Sequence, residues 1–164
     1  MKLKVYLGTS GAGKTTLIEK TYDLTDMKDV TIRNMRCCSG GHNLFLGWYK
    51  IAARCRGCDT LSMTIIDELI KFLDKQIKDN VFETIVMDGD RVNNMKMLLF
   101  LEQHKDKVEI IFVNTSLDTI YKRRPDCNKV FVQTTQTKTH NMISEYKKRG
   151  FKVTTIDEEK QGWF

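Results

Sequence analysis

The chain has 164 residues, 41% of them hydrophobic and 29% charged, with a single proline. That balance fits one globular domain over residues 1–164 and excludes disordered, collagen-like and membrane-spanning classes, since no apolar run approaches the roughly 18 residues a bilayer span requires. The net charge of +6 is unevenly spread: residues 33–58 carry +5 and residues 121–150 carry +6, which leaves −5 on the remainder. Two basic segments on an otherwise acidic body suggest a polyanion site, either nucleotide phosphates or a nucleic-acid backbone; the alternative is a solvated cationic surface. Five cysteines without a secretion signal point to reduced thiols in a cytoplasmic protein.

Short apolar runs alternate with helical periods along the chain, the pattern of a parallel sheet covered by helices. A strand is predicted over 3–7, and it leads directly into residues 8–15, GTSGAGKT, with a helix after them. A second strand is predicted over 30–33. The segment at about 36–60 fits neither period: Ser39, Gly40 and Gly41 interrupt it, 44–49 alternates weakly like a hairpin strand, and 54–59 is polar. A long irregular insertion in a small domain is usually functional, so it is expected to lie over the active site. After Thr60 and Ser62, the spacing of Ile66, Leu69, Ile70, Leu73 and Ile77 predicts an amphipathic helix. Strands follow over 84–87 and 108–113. Thr115 and Asp118 form a potential capping box for the next helix. A short lid is predicted at about 121–130, and then a helix that ends in Lys147, Lys148, Arg149 and the stop residue Gly150. A last strand is predicted over 151–156.

Residues 8–15 match G-x-x-x-x-G-K-[ST] between a predicted strand and a predicted helix. Glycines allow the tight turn that points successive N–H groups inward, and the positive end of the following helix faces the same place. The expected nucleotide-binding residues are Gly8, Ser10, Gly11, Ala12, Gly13, Lys14, Thr15 and Thr16. Lys14 would reach the β and γ phosphates, and the Thr15 hydroxyl would take one magnesium position. Such a site also needs a carboxylate at the end of a neighbouring buried strand. Asp88 supplies it, holding Mg2+ through water, with a turn acid or helix cap as the alternative.

A phosphate loop alone does not name a reaction. Guanine specificity by N-K-x-D is not supported, because Asn128-Lys129-Val130-Phe131 lacks the aspartate. Gly89 follows Asp88 where many ATPases carry a water-polarising glutamate. Small kinases instead place arginines on a lid after the fourth strand, and Arg123 and Arg124 occur there, alternatively as a cationic helix end.

The order of these elements resembles the P-loop nucleoside and nucleotide kinase group over nearly the whole chain. The resemblance implies a three-layer α/β P-loop NTPase fold, with five parallel strands in the order 2-3-1-4-5 and ATP as donor. A narrower resemblance lies in Leu46-Gly47-Trp48-Tyr49 and Cys55-Arg56-Gly57-Cys58-Asp59-Thr60-Leu61-Ser62. It is similar to phage-encoded kinases of the 5-hydroxymethyluracil DNA kinase type, and departs from them in having Asp88-Gly89 where Glu-Gly is common. It implies transfer of the γ phosphate to a hydroxymethyl group on DNA.

A neutral hydroxymethyl group is a poor nucleophile, so a carboxylate would help remove its proton. Asp59 is the candidate base, with a helix-capping acid as the alternative. The segments 33–58 and 121–150 would meet the DNA backbone, and Trp48 and Tyr49 would either stack on an extruded base or serve as hairpin core. Cys37, Cys38, Cys55 and Cys58, with His42 able to replace one of them, form an alternative zinc site, Cys55 and Cys58 having C-x-x-C spacing. The expected activity is therefore an ATP-dependent kinase acting on modified DNA. The alternatives are a deoxynucleoside monophosphate kinase and a nucleotide-dependent binding module without transfer activity.

Overall fold

The computed structural model describes residues 1–32, 35–49, 57–62 and 64–161. Alternation in the first strand, β1 (Lys2–Leu7), sends Leu3, Val5 and Leu7 to one face of the sheet and Tyr6 to the other. It is followed by α1 (Lys14–Thr21), β2 (Lys28–Ile32), β3 (Met35–Gly40), β4 (Asn43–Leu46), a 3-10 turn (Cys58–Thr60) and α2 (Ile66–Asp79). The second half contains β5 (Thr84–Asp88), α3 (Met95–Glu102), β6 (Val108–Asn114), α4 (Leu117–Arg123), α5 (Lys129–Lys148), β7 (Val153–Asp157) and α6 (Glu158–Gln161).

The class is α/β, but the sheet differs from the expectation. It is mixed and has seven strands, in the order β2-β3-β4-β5-β1-β6-β7, rather than five parallel ones. The described part of the run predicted at 30–33, residues 30–32, falls in β2, an edge strand antiparallel to β3, and β3 is in turn antiparallel to β4. The parallel neighbour of β5 is β4, drawn from the segment expected to be an irregular insertion. Burial explains the exchange. Leu44, Phe45 and Leu46 are all buried, as a strand covered on both faces requires, whereas β2 keeps Lys28, Asp29 and Thr31 exposed. From β4 through β5, β1 and β6 to β7, every pairing is parallel.

The two faces have separate cores. On one, Val5, Ile85, Met87, Ile110 and Phe112 meet Leu69 and Leu73 of α2, Leu98 and Leu101 of α3, and Ile143 and Tyr146 of α5. On the other, Tyr6, Phe45, Val86, Ile111 and Val113 meet Leu17 and Ile18 of α1 together with Tyr49. The predicted stripe of α2 is present, with Leu69 and Leu73 fully buried. The capping expectation at Thr115 is corrected by one residue: Ser116 is the N-cap of α4 and accepts from the Thr119 N–H at 3.2 Å. Thr115 is buried and donates instead to the Ala12 carbonyl at 3.0 Å. No helix among the described residues is long and apolar enough to cross a membrane.

Candidate functional site

Parallel strands end at one edge of the sheet, and the chemistry-bearing residues collect there. Between β1 and α1 the backbone turns tightly. Gly11 and Gly13 have φ of 87° and 89°, and the Ala12 N–H donates to the Thr9 carbonyl at 3.0 Å. At Gly8 the constraint is space, since a side chain would meet the Val113 carbonyl. Gly13 precedes the first turn of α1 and no side chain caps it, which leaves the first amides of the helix facing the loop. Lys14 Nζ donates to the Gly8 and Thr9 carbonyls at 2.9 and 3.0 Å. Burial pulls its ammonium below the ordinary value, partly opposed by the charges of Asp88, Asp59 and Asp90. Thr15 and Thr16 are half-buried in the first turn of α1.

Asp88 closes β5, and β5 is the direct neighbour of β1. The alternation that buries Ile85 and Met87 on the α2 face turns Asp88 toward the α1 face, where Thr15 waits. The Thr15 hydroxyl lies 3.4 Å from Asp88 Oδ2. Asp88 is 2% exposed, and desolvation pushes its carboxyl up to about 6. The Tyr49 hydroxyl, the Lys14 charge and the Cys58 amide oppose that rise. Thr15 and Asp88 offer a hard, all-oxygen pair of the kind a magnesium ion accepts. Magnesium bound there would neutralise phosphate charge as transfer proceeds.

Asp59 occupies the 3-10 turn Cys58–Thr60 and reaches the same place from the opposite side. Its Oδ1 accepts from the Asp90 N–H at 2.8 Å, and its carboxylate lies so close to Gly89 that a Cβ there would meet it at 2.6 Å. Gly89, with φ of 99°, thus leaves room beside the end of β5 for the carboxylate that the 3-10 turn brings in. Asp90 is half-exposed and paired with Lys138 of α5 at 2.7 Å.

The two arginines expected on a lid lie at the C-terminal end of α4 and part company. Arg124, the residue after α4, sends its guanidinium to the Ser10 hydroxyl at 3.3 Å and packs its stem beside Gly11. The charge of Arg123 acts on Glu159 instead, which also accepts from Ser116 and Thr119. The Ser10 N–H donates to Thr135 of α5 at 3.4 Å, so the loop is held from α5 as well. Asn128, in the weak guanine-like tetrapeptide, is the N-cap of α5 and accepts from the Phe131 N–H at 3.0 Å.

Three expectations need correction or relocation. Tyr49 is 2% exposed and donates its hydroxyl to Asp88 Oδ1, so it is core and site at once and unavailable for stacking on a base. Trp48 is half-buried, with the Arg36 guanidinium 4.8 Å from its ring. A shared zinc site for Cys37 and Cys38 is incompatible with their adjacency on β3, which sends Cys37 to the α2 face and Cys38 to the α1 face. Burial pushes the Cys37 thiol up to about 11 and the Cys58 thiol well above its ordinary value. The described cysteines are all free thiols, and no group of three or more metal-binding side chains of the His, Cys, Asp and Glu type occurs among the described residues. Cys55, with Arg33, Lys50, Arg54 and Arg56 of the first basic segment, lies outside the described residues.

Sequence reasoning missed the roles of Tyr49, Gly57, Thr135 and Lys138. The two glycines flanking the undescribed part of the insertion, Gly47 and Gly57, carried a usable signal: both have positive φ, and a Cβ on Gly47 would fall within 1.9 Å of the Gly57 carbonyl. No protein-family model and no curated protein sequence matches the chain.

Proposed function

We propose that the chain is an ATP-dependent phosphotransferase that moves the γ-phosphate to a nucleotide acceptor, with the hydroxymethyl group of 5-hydroxymethyluracil in DNA as the favoured one. The observation that carries this is the gathering of Lys14, Thr15 and Asp88 at one sheet edge with Asp59 directly across Gly89. The first three are the parts a magnesium-nucleotide site requires, and the fourth is a second carboxylate with no duty toward the metal.

Each residue then has a distinct task. The uncapped amides at the start of α1, from Gly13 to Thr16, would cradle the phosphate tail, and Lys14 would exchange its two loop carbonyls for phosphate oxygens. Thr15 and Asp88 would hold the magnesium ion. Arg124, already on the loop through Ser10, neutralises charge on the transferring group and helps exclude water. Asp59 accepts the proton of the acceptor hydroxyl while its oxygen bonds to the γ phosphorus. The bond from that phosphorus to the bridging oxygen breaks, and ADP leaves with the electron pair.

A second acceptor class has a specific observation behind it. The basic segment 121–150 is divided, with Arg124 at the phosphate loop and Lys147, Lys148 and Arg149 at the far end of α5, where Arg149 is engaged by Glu102 at 2.7 Å. Such a division favours a compact acceptor, as in a deoxynucleoside monophosphate kinase, over a long duplex. Incubation with γ-labelled ATP, DNA containing 5-hydroxymethyluracil, unmodified DNA and a panel of mononucleotides decides the matter. Label in the modified DNA alone supports the favoured acceptor. Label in a mononucleotide alone replaces it with the second, and label only in ATP or free phosphate replaces both with a nucleotide-dependent binding module.

A further inference from the structure

Asp88 is held from the acceptor side of the molecule, by residues that belong to no phosphate-loop motif. Its Oδ1 receives the Tyr49 hydroxyl, and its Oδ2 faces Thr15 at 3.4 Å. Gly57 presses against the same carboxylate so closely that a Cβ there would lie 1.8 Å from Oδ1. Tyr49 and Gly57 are themselves tied together: Trp48 and Gly57 form an antiparallel bridge, the Gly57 N–H donates to the Trp48 carbonyl at 2.8 Å, and the Trp48 N–H donates to Thr60 Oγ1 at 3.0 Å. The Tyr49 ring is anchored edge-on against Phe45 of β4 with centroids 5.7 Å apart. A rigid ring thus delivers one hydroxyl to one carboxylate oxygen and leaves the other oxygen pointing at Thr15.

We infer that Tyr49 is a positioning residue for the metal site: its hydroxyl fixes the Asp88 carboxylate in the rotamer that serves the magnesium ion of the bound nucleotide. The inference rests on the phosphotransferase reading in taking Asp88 as the metal-side acid. Partners of this kind, one shell out from a ligand, typically govern metal affinity by about 10- to 100-fold.

The test measures ATP binding by calorimetry, once in EDTA and once in excess Mg2+, for the wild type, Tyr49→Phe, Asp88→Asn and the double variant. Tyr49→Phe keeps the ring against Phe45 and deletes only the hydroxyl. Affinity in EDTA is expected to be equal in the wild type and Tyr49→Phe, because Lys14, Asp88 and the loop amides are intact, and equal between Asp88→Asn and the double variant. The gain in affinity on adding Mg2+ is expected to fall about 10- to 100-fold in Tyr49→Phe, and Tyr49→Phe should cost nothing further in the Asp88→Asn background. A full Mg2+ gain in Tyr49→Phe, or an equal loss with and without Asp88, overturns the inference and returns Tyr49 to packing alone. Absence of ATP binding by the wild type in both conditions overturns the phosphotransferase reading itself, an outcome distinct from the other two. Should Tyr49→Phe fail to fold, Gly57→Ala presses on Oδ1, the oxygen the Tyr49 hydroxyl holds, and is judged by the same Mg2+-specific loss.

Discussion

At the scale of single residues, the site is built from charges the fold finds costly to hold. Asp88 shows the consequence. Its carboxyl is pushed up from 3.8 to about 6 by burial, so the folded state holds its proton more tightly than the unfolded chain does. Well below pH 3.8 both states are protonated and nothing is lost. As pH rises from about 4 through 6, the unfolded chain ionises first and stability falls by roughly 1–3 kcal/mol, a loss that persists at neutral pH. Asp88→Asn is therefore expected to raise the unfolding midpoint by several degrees at pH 7.5, at about 2–4 °C per kcal/mol for a chain of this size, and to leave it nearly unchanged at pH 3.5. The same substitution should abolish Mg2+-dependent transfer, so thermal scans at the two pH values beside an activity assay check both halves. Lys14→Ala removes another desolvated charge. It is expected to lower phosphate transfer by at least 100-fold while shifting the midpoint by less than about 3 °C. Asp59→Asn should lose transfer to a hydroxyl acceptor and keep ATP affinity within about twofold, as read by calorimetry, if its role is that of a base.

At the scale of elements, caps and burial decide which of two similar segments takes which place. Asn128 is the N-cap of the twenty-residue α5, the helix that carries Thr135 and Lys138 to the site. Asn128→Ala is expected to cost about 1 kcal/mol and lower the midpoint by roughly 2–4 °C without changing ATP affinity more than slightly, measurable by scanning calorimetry and titration. The contrast between β2 and β4 is similarly local in origin. Val30 and Ile32 alternate with polar neighbours, which suits an edge strand, and the unbroken Leu44-Phe45-Leu46 run suits the strand covered on both faces. Both patterns are present in the sequence. Ser39, Gly40 and Gly41 suggested an irregular insertion, but they mark the end of β3 and its hairpin turn into β4.

At the scale of the whole molecule, the distribution of charge matters more than its total. α5 spans about 30 Å, and its basic C-terminal turn meets Glu102 and Glu145 far from the phosphate loop. Replacing Lys147 and Lys148 by Glu is accordingly expected to leave the acceptor KM and its dependence on ionic strength unchanged, whereas Arg124→Ala should weaken both nucleotide and acceptor use; steady-state kinetics over a salt series separates the two. What the sequence by itself determined is local. The glycines, lysine and threonine of residues 8–15, the apolar stripe of α2, the strand ending in Asp88 and the charged end of α5 are short-range patterns fixed by backbone sterics and side-chain period. What only the tertiary structure decided is which segments meet. The seven-strand mixed order depends on competition between strands for the buried positions beside β5, and the contacts of Tyr49 and Gly57 with Asp88 join residues 39 and 31 positions apart. Those contacts exist because a buried carboxylate must find a donor, and no local pattern says which residue will supply it.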